Sequence, residues 1–486
     1  MTAARRVVVV GGGLAGITAA IALRETGHEV TMLEARPRLG GATCSFTRDG
    51  LVVDNGQHIF LRCCTAYRGL LGRLGVAGAV RLQDRFDVTV LRPGQNAPHP
   101  ARLRRSGLPG PLHMGPTLAG YPLLSLSERL RVTQAALAMK RVDPADPAVD
   151  GLRLGDWLAA HGQSEHARRA LWDLFTVSAL NIAGDDASLA LAATVVKTAL
   201  LGTRDAADIG VPAVPLGDLH GQAAMTHLGR LGADVRLGAK VAGVEVARDS
   251  LPGIGRLFTV RLGRAGGPDQ PGGPATGAAA IEADGVVVAV PPEQAARLLP
   301  DGMAGHGSAA WRGLGSSPIL NVHVLYDQQV MNLPFAAAVD SPVQWVFDRT
   351  GPSGSAGSRP GGQYLAVSVS AADEMIDVPA AKLREIFVPA LAELLPAART
   401  ARVTEFFVTR ERRATFRQQP GCEALRPQAV TSLPGLVLAG AWTQTGWPDT
   451  MEGAVRSGLN AARELRRALS TPVRATAEPH PAGADA

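Results

Sequence analysis

The stretch Arg6-Val7-Val8-Val9-Val10-Gly11-Gly12-Gly13-Leu14-Ala15-Gly16 runs from a short apolar strand through a glycine turn into the first residues of a helix. Helical composition continues over 14–23, Gly27 supplies a helix stop, and residues 29–34 read as a second strand. This is a βαβ opening, and each glycine of the Gly11-x-Gly13-x-x-Gly16 spacing has a physical task. Together they permit a tight turn, a close approach of backbone to a pyrophosphate, and close packing of helix on strand. Free N–H groups at the helix start, around Leu14 and Ala15, favour phosphate charge. Glu34 stands eighteen residues beyond Gly16, at the end of the second strand, where a carboxylate can accept from both hydroxyls of an adenosine ribose. Strand, glycines, helix, strand and acid in register point to a dinucleotide site.

A nicotinamide domain would continue straight into further βαβ units. Here the chain turns through Ala35-Arg36-Pro37-Arg38-Leu39-Gly40-Gly41-Ala42 and reaches Asp54-Asn55-Gly56-Gln57-His58. Far along the chain an apolar run ends in Ala439-Gly440-Ala441-Trp442, and Gly446-Trp447-Pro448-Asp449-Thr450-Met451-Glu452-Gly453-Ala454 opens a helix. Strand, loop and helix start are what a second anchor on a long cofactor needs. The helix N-terminus at Met451 would aim N–H groups at a flavin's pyrimidine edge, where reduction accumulates negative charge. Trp447, Thr450, Glu452 and Ala454 would flank it. Two distant anchors distinguish FAD from NAD.

The segment 35–42 resembles the one that flavin amine oxidases and carotenoid desaturases lay along the FAD pyrophosphate, which assigns Ala35, Arg36, Gly40, Gly41 and Ala42 to it. Residues 232–241 resemble the piece that packs on adenine, with the backbone of Val241 as the contact. Asp54-Asn55-Gly56-Gln57-His58 with Cys64 soon after, and Thr445-Gly446-Trp447-Pro448-x-Thr450-Met451-Glu452-Gly453-Ala454-Val455-x-Ser457-Gly458, resemble the squalene-associated FAD-dependent desaturases. These are the hydroxysqualene dehydroxylases of bacterial hopanoid and squalene synthesis, and the likeness runs over about 7–468. It implies an α/β fold: a discontinuous Rossmann-like FAD-binding domain of the glutathione-reductase/amine-oxidase type with an interleaved α+β substrate domain. The expected boundaries are 1–80, 205–297 and 425–470 for the FAD-binding domain, 81–204 and 298–424 for the substrate domain, and a disordered tail at 471–486. Asn55, Gly56 and Gln57 then join Gly440 and Ala441 among the cofactor contacts. The chain departs from many relatives at Ala42, where they carry Arg, and at Ala441, where they carry an acid.

The resemblance implies a reductive reaction, in which hydroxysqualene loses its hydroxyl and gains hydride from reduced FAD, giving squalene, oxidised FAD and water. That chemistry needs a dry apolar pocket and a proton donor. His58 and Asp54 are the candidates for the donor; alternatively, Asp54 fixes the turn and His58 satisfies a backbone group. Residues 118–126 and 171–180 are either pocket lining or ordinary core. A thirty-carbon substrate resides in the bilayer, so a peripheral position at the inner face of the membrane is expected. The stretch 99–141, mixing Leu103, Leu108, Leu112, Met114, Leu118, Leu123 and Leu124 with basic residues, is the candidate contact. The partner that reduces FAD is unspecified.

Composition sets the outer limits. With 486 residues, 46% hydrophobic and 19% charged, the chain can bury two sizeable cores. The formal charge is +6, but no dense Lys/Arg block appears and only 4% of residues are aromatic, which disfavours a nucleic-acid binder. Cys44, Cys63, Cys64 and Cys422 have neither metal-ligand nor disulfide-framework spacing, so no metal is expected and a reduced cytoplasmic setting is. A strand begins at once after Met1, so no cleavable leader is expected, and no apolar run is long enough for a spanning helix. Rival readings are an oxidative carotenoid or phytoene-type desaturase, a flavin amine oxidase, and a non-catalytic prenyl-lipid escort protein.

Overall fold

The computed structural model describes residues 4–94, 100–246, 258–263, 279–299, 308–354 and 361–470. The tail expected at 471–486 and most of the glycine-rich stretch 263–280 lie outside these residues. β1 (Arg6–Val10), α1 (Leu14–Arg24) and β2 (Glu29–Glu34) form the βαβ unit. They belong to a five-stranded parallel sheet ordered Asp234–Leu237, β2, β1, Gly285–Val288, Leu436–Leu438. Both of its faces are covered, which is why β1 reads as a continuous valine run instead of an alternation. Val7 and Val9 pack with α1 and the C-terminal helix Met451–Ser470. Val8 and Val10 pack towards a three-stranded antiparallel sheet of Val241–Val246, Phe258–Leu262 and Ala280–Ala283.

The rest of the chain builds a seven-stranded sheet and a helical layer. The strand order is Val403–Thr415, Ser317–Tyr326, Gln363–Val369, Trp345–Asp348, Phe335–Ala338, Asp87–Leu91, Ala101–Arg104, antiparallel except where Phe335–Ala338 meets Asp87–Leu91. The helical layer includes Leu154–Ala160, Asp173–Leu180 and Leu189–Val195, with wide turns such as Arg168–Trp172 between them. Asn181, in the left-handed region at φ 51°, stops the second of these. Its amide donates to the Ser317 carbonyl at 3.0 Å and accepts from Ala371 N–H at 2.8 Å, which ties the helical layer to the seven-stranded sheet. Leu171, Trp172, Leu174 and Leu180 are buried core, whereas Phe175 and Ala179 are only partly covered.

The parallel sheet draws on chain from residues 6–34, 234–288 and 436–438, and its helices come from both termini. α1 and the C-terminal helix approach so closely that a Cβ on Gly458 would stand 2.3 Å from the Ala15 carbonyl oxygen. Gly458→Ala is therefore expected to lower stability by about 1–3 kcal/mol through overpacking. Gly229→Ala, on the exposed face of the helix Ala223–Arg230 with nothing within 4 Å of the new methyl, should be neutral or slightly stabilising. Urea unfolding of both variants checks the pair.

Candidate active site

The glycine turn after β1 is compressed onto itself. Gly11, at φ 108°, donates its N–H to the Leu33 carbonyl at 2.8 Å, and a Cβ on Gly16 would lie 1.9 Å from the Gly11 oxygen. Leu14 and Ala15, buried in the first turn of α1, follow directly. Glu34 is buried, and its carboxylate accepts from Gly12 N–H at 2.6 Å and Arg36 N–H at 2.8 Å. Those two bonds hold its carboxylate at the carboxyl end of β2, beside β1, where the strand order reverses and where open sheets bind dinucleotides. Ala35 is exposed beside it, and Ala239 N–H donates to the Glu34 carbonyl at 2.8 Å, which brings the start of the Val241 strand to the same edge.

Gly40 N–H donates to the Gly12 carbonyl at 2.9 Å, so the segment 35–42 crosses in front of the turn. A Cβ on Gly41 would come 2.8 Å from Gly13 Cα, while beside Gly13 nothing other than Gly41 lies within 4 Å. Arg36 and Arg38 both donate to the Gly41 carbonyl, at 3.2 and 3.3 Å. Two bare glycine backbones, a helix start and two guanidiniums form a cradle that suits a pyrophosphate. Arg38 was not singled out from sequence, although its spacing from Arg36 put it on the same short segment.

Asn55 joins this cradle to the seven-stranded sheet. Its side chain accepts from Cys44 N–H at 3.0 Å and donates to the Ala42 carbonyl at 2.8 Å and to Glu411 at 3.1 Å; its carbonyl accepts from Asn321 at 3.1 Å and Thr409 at 3.2 Å. Next to it, Gln57 Nε2 and Asn321 Oδ1 are buried without hydrogen-bond partners among the described residues. Gly56 lies between them, an added Cβ there being 3.6 Å from Asn321 Nδ2. Unpaired buried polar atoms are costly, so this corner fits a polar ligand such as a flavin ring edge.

The two acid candidates are differently placed. Asp54 is buried and fully engaged: Oδ1 accepts from Ser45 Oγ at 2.6 Å and Leu216 N–H at 3.0 Å, and Oδ2 meets Arg349 at 2.6 Å. It is a joint between chain segments. His58 turns Nδ1 to the Gly56 carbonyl at 3.2 Å, and burial pushes its pKa below the usual imidazole value, so the ring is neutral near pH 7.

The second anchor is organised by a residue that the sequence did not flag. Arg426 is buried and donates to the carbonyls of Ala441 at 2.9 Å, Thr443 at 2.6 Å and Trp447 at 2.9 Å, which fixes the loop between the last strand and the C-terminal helix. Gly440, at φ 139°, leaves room for Trp442, whose Nε1 would otherwise lie 2.3 Å from a Cβ. Thr450, Met451 and Ala454 open the helix with part of their surface free, while the Trp447 ring lies under the Arg456 guanidinium at 4.5 Å. Glu452 has a different task from a cofactor contact: its carboxylate accepts from Ala66 N–H at 3.2 Å and Tyr67 N–H at 2.8 Å, capping the helix Thr65–Arg73, and pairs with Arg456 at 2.7 Å.

Comparison with known proteins agrees with this geometry. Residues 14–466 match the flavin containing amine oxidoreductase family. A hydroxysqualene dehydroxylase of Rhodopseudomonas palustris is 28% identical, with 94% of this chain and 97% of that protein covered. A 15-cis-phytoene desaturase of Glycine max is 24% identical, covering 94% of this chain and 79% of the plant protein. Among solved structures, putrescine oxidase bound to putrescine superposes with a TM-score of 0.68 at 20% identity, over 96% of this chain and all of that one (100%), which shows a shared fold.

Glu34→Gln removes the charge that holds the turn through Gly12 and Arg36 N–H. Flavin affinity is expected to fall by about 10- to 100-fold, the worth of a charged hydrogen bond or two. Equilibrium dialysis of flavin against purified protein measures it, with circular dichroism reporting that the fold persists.

Proposed function

Because the chain belongs to the flavin containing amine oxidoreductase family, we propose that it catalyses the reductive dehydroxylation of hydroxysqualene to squalene. It is an FAD-dependent oxidoreductase of the amine-oxidase fold. The observation that carries the specific reaction is the nearly end-to-end likeness to a hydroxysqualene dehydroxylase. When bound, reduced FAD supplies the hydride that replaces the hydroxyl.

The chain's own residues contribute binding, orientation and dryness. Gly13, Gly41, Arg36 and Arg38 would hold the pyrophosphate, Glu34 the ribose, and the N–H groups at Met451 the flavin's pyrimidine edge. Gln57 and Asn321 would orient the ring, and the partly covered faces of Phe175 and Ala179 would meet the hydrocarbon. Excluding water protects a developing allylic cation from capture, and squalene leaves with the water formed from the departing hydroxyl.

We also place the protein at a membrane surface, on the inner face. No helix among the described residues is long and apolar enough to cross a membrane. Within 99–141 the structure separates core from surface. Leu103, Met114, Leu123 and Leu124 are buried, Leu118 is partly covered, Arg105 pairs with buried Asp208 at 2.6 Å, and His99 lies outside the described residues. Leu126, Leu130 and Leu137 of the helix Leu126–Met139 are exposed, at 80%, 61% and 52%. At about 100° per residue they share one narrow stripe, with Leu108 and Leu112 also exposed on the preceding segment and Lys140 and Arg141 at the helix end. That arrangement suits the headgroup region of an anionic bilayer.

Two experiments test these readings. Anaerobically reduced enzyme mixed with hydroxysqualene is expected to reoxidise its flavin with one squalene per flavin, followed by absorbance and mass spectrometry. A flavin that stays reduced, together with oxidised enzyme that desaturates phytoene, would replace this reading by the desaturase one, which the Glycine max likeness supports. In vesicle flotation with anionic lipid, the triple change of Leu126, Leu130 and Leu137 to Gln should reduce binding by about tenfold or more. Unchanged flotation would remove the stripe from the membrane contact.

A further inference from the structure

Loss of hydroxide from an alcohol is slow unless the oxygen is protonated as it leaves, and neither His58, neutral, nor Asp54, tied to Arg349, is suited to that task. The carboxyl of Asp449 is. It stands two residues ahead of Met451, where the helix of the second anchor begins. Its Oδ2 accepts from Phe416 N–H at 2.8 Å, and its own N–H donates to Gln418 Oε1 at 3.1 Å. Gln418 is fully buried and donates in turn to the Leu180 carbonyl at 2.7 Å, at the end of the helix Asp173–Leu180. Cofactor anchor, seven-stranded sheet and helical layer therefore meet at this carboxyl. No donor among the described residues reaches Oδ1, and the residue keeps part of its surface free. We propose that Asp449 is the proton donor to the departing hydroxyl of the isoprenoid alcohol; this rests on the dehydroxylase reading.

The electrostatics agree with the geometry. Burial raises the Asp449 carboxyl to about 6, with the Phe416 N–H bond and the Arg426 charge pulling the other way. Arg426 is the one charged side chain among the described residues that bears on it. An acid in this range holds a proton in a useful fraction of molecules near neutrality and gives it up readily, as general acids must.

The step balances. The Oδ1–H bond of Asp449 breaks and the proton joins the substrate oxygen. The C–O bond breaks with its electron pair leaving on water. The carbon gains hydride, with its two electrons, from reduced flavin, which is thereby oxidised. Asp449 is left as a carboxylate and is reprotonated from solvent.

The test uses full-length holoenzyme. Wild-type single-turnover reoxidation by hydroxysqualene should slow as pH rises through about 6, because the protonated form is the active one and is lost there. Asp449→Asn should slow that step by about 100-fold or more, remove the pH dependence and leave flavin content unchanged; Asp449→Glu should recover part of the rate. Infrared titration supplies a readout independent of turnover. Two protonated carboxyls titrating near 6 are expected, that of Asp449 and that of Asp173 beside Asp185; Asp449→Asn should remove one of the two components and Asp173→Asn the other. Asp449→Asn turning over at the wild-type rate, or an Asp449 ionised throughout mildly acidic buffer, would overturn the proposal. A wild type that leaves the flavin reduced would sink the dehydroxylase reading itself, and the acid role with it.

Discussion

The carbonyl oxygen of Gly11 occupies the place where a side chain on residue 16 would begin, 1.9 Å from an ideal Cβ. With that contact in place, α1 starts immediately at the carboxyl end of β1 and points its unpaired N–H groups across the sheet edge. The C-terminal helix then packs on α1 through Gly458, and its own start follows the strand Leu436–Leu438 of the same parallel sheet. Two helix starts thus follow the carboxyl ends of two strands of one parallel sheet, β1 and Leu436–Leu438, with Gly285–Val288 between them, and open α/β sheets hold nucleotides at that edge. A methyl group at residue 16 would push α1 off the strand and misplace everything stacked upon it.

The two halves of the molecule are set against each other by polar joints buried where water cannot compete. Asp54 with Arg349, Asp208 with Arg105 and Arg62, and Asn55 with Glu411, Asn321 and Thr409 all bridge distant stretches of chain. Such joints add little net stability, since desolvation offsets most of the attraction, but losing one partner strands a buried charge at a cost of about 3–5 kcal/mol. Their contribution is geometric: apolar packing alone tolerates sliding, whereas each of these contacts has one register. Catalysis between a held cofactor and a mobile hydrocarbon needs that register more than it needs extra stability.

The sequence was legible where function is local. The glycine turn with Glu34, the segment 35–42 and the motif at 446–454 each sit within a few residues, and their spacing carries their geometry. The strand Asp234–Leu237 lies within the segment 232–241 that the resemblance picks out. The thirteen-residue strand Val403–Thr415 was not legible, because Arg410, Glu411, Arg412 and Arg413 hide its alternation; it is an edge strand with partly exposed faces. Roles set by distant partners were also out of reach. Nothing near Asp54 announces Arg349, and Glu452 looks like a cofactor contact until Ala66 and Tyr67 are seen to arrive beneath it.

The union of α1 with the helix Met451–Ser470 has a consequence for biosynthesis. During translation the first βαβ unit leaves the ribosome long before the helix that covers it, and the apolar side of α1 waits uncovered until nearly the whole chain has emerged. Closing so long a loop costs entropy before any contact repays it, and folds dominated by such distant pairings form slowly. A chain truncated before the last helix would leave that side of α1 without its cover.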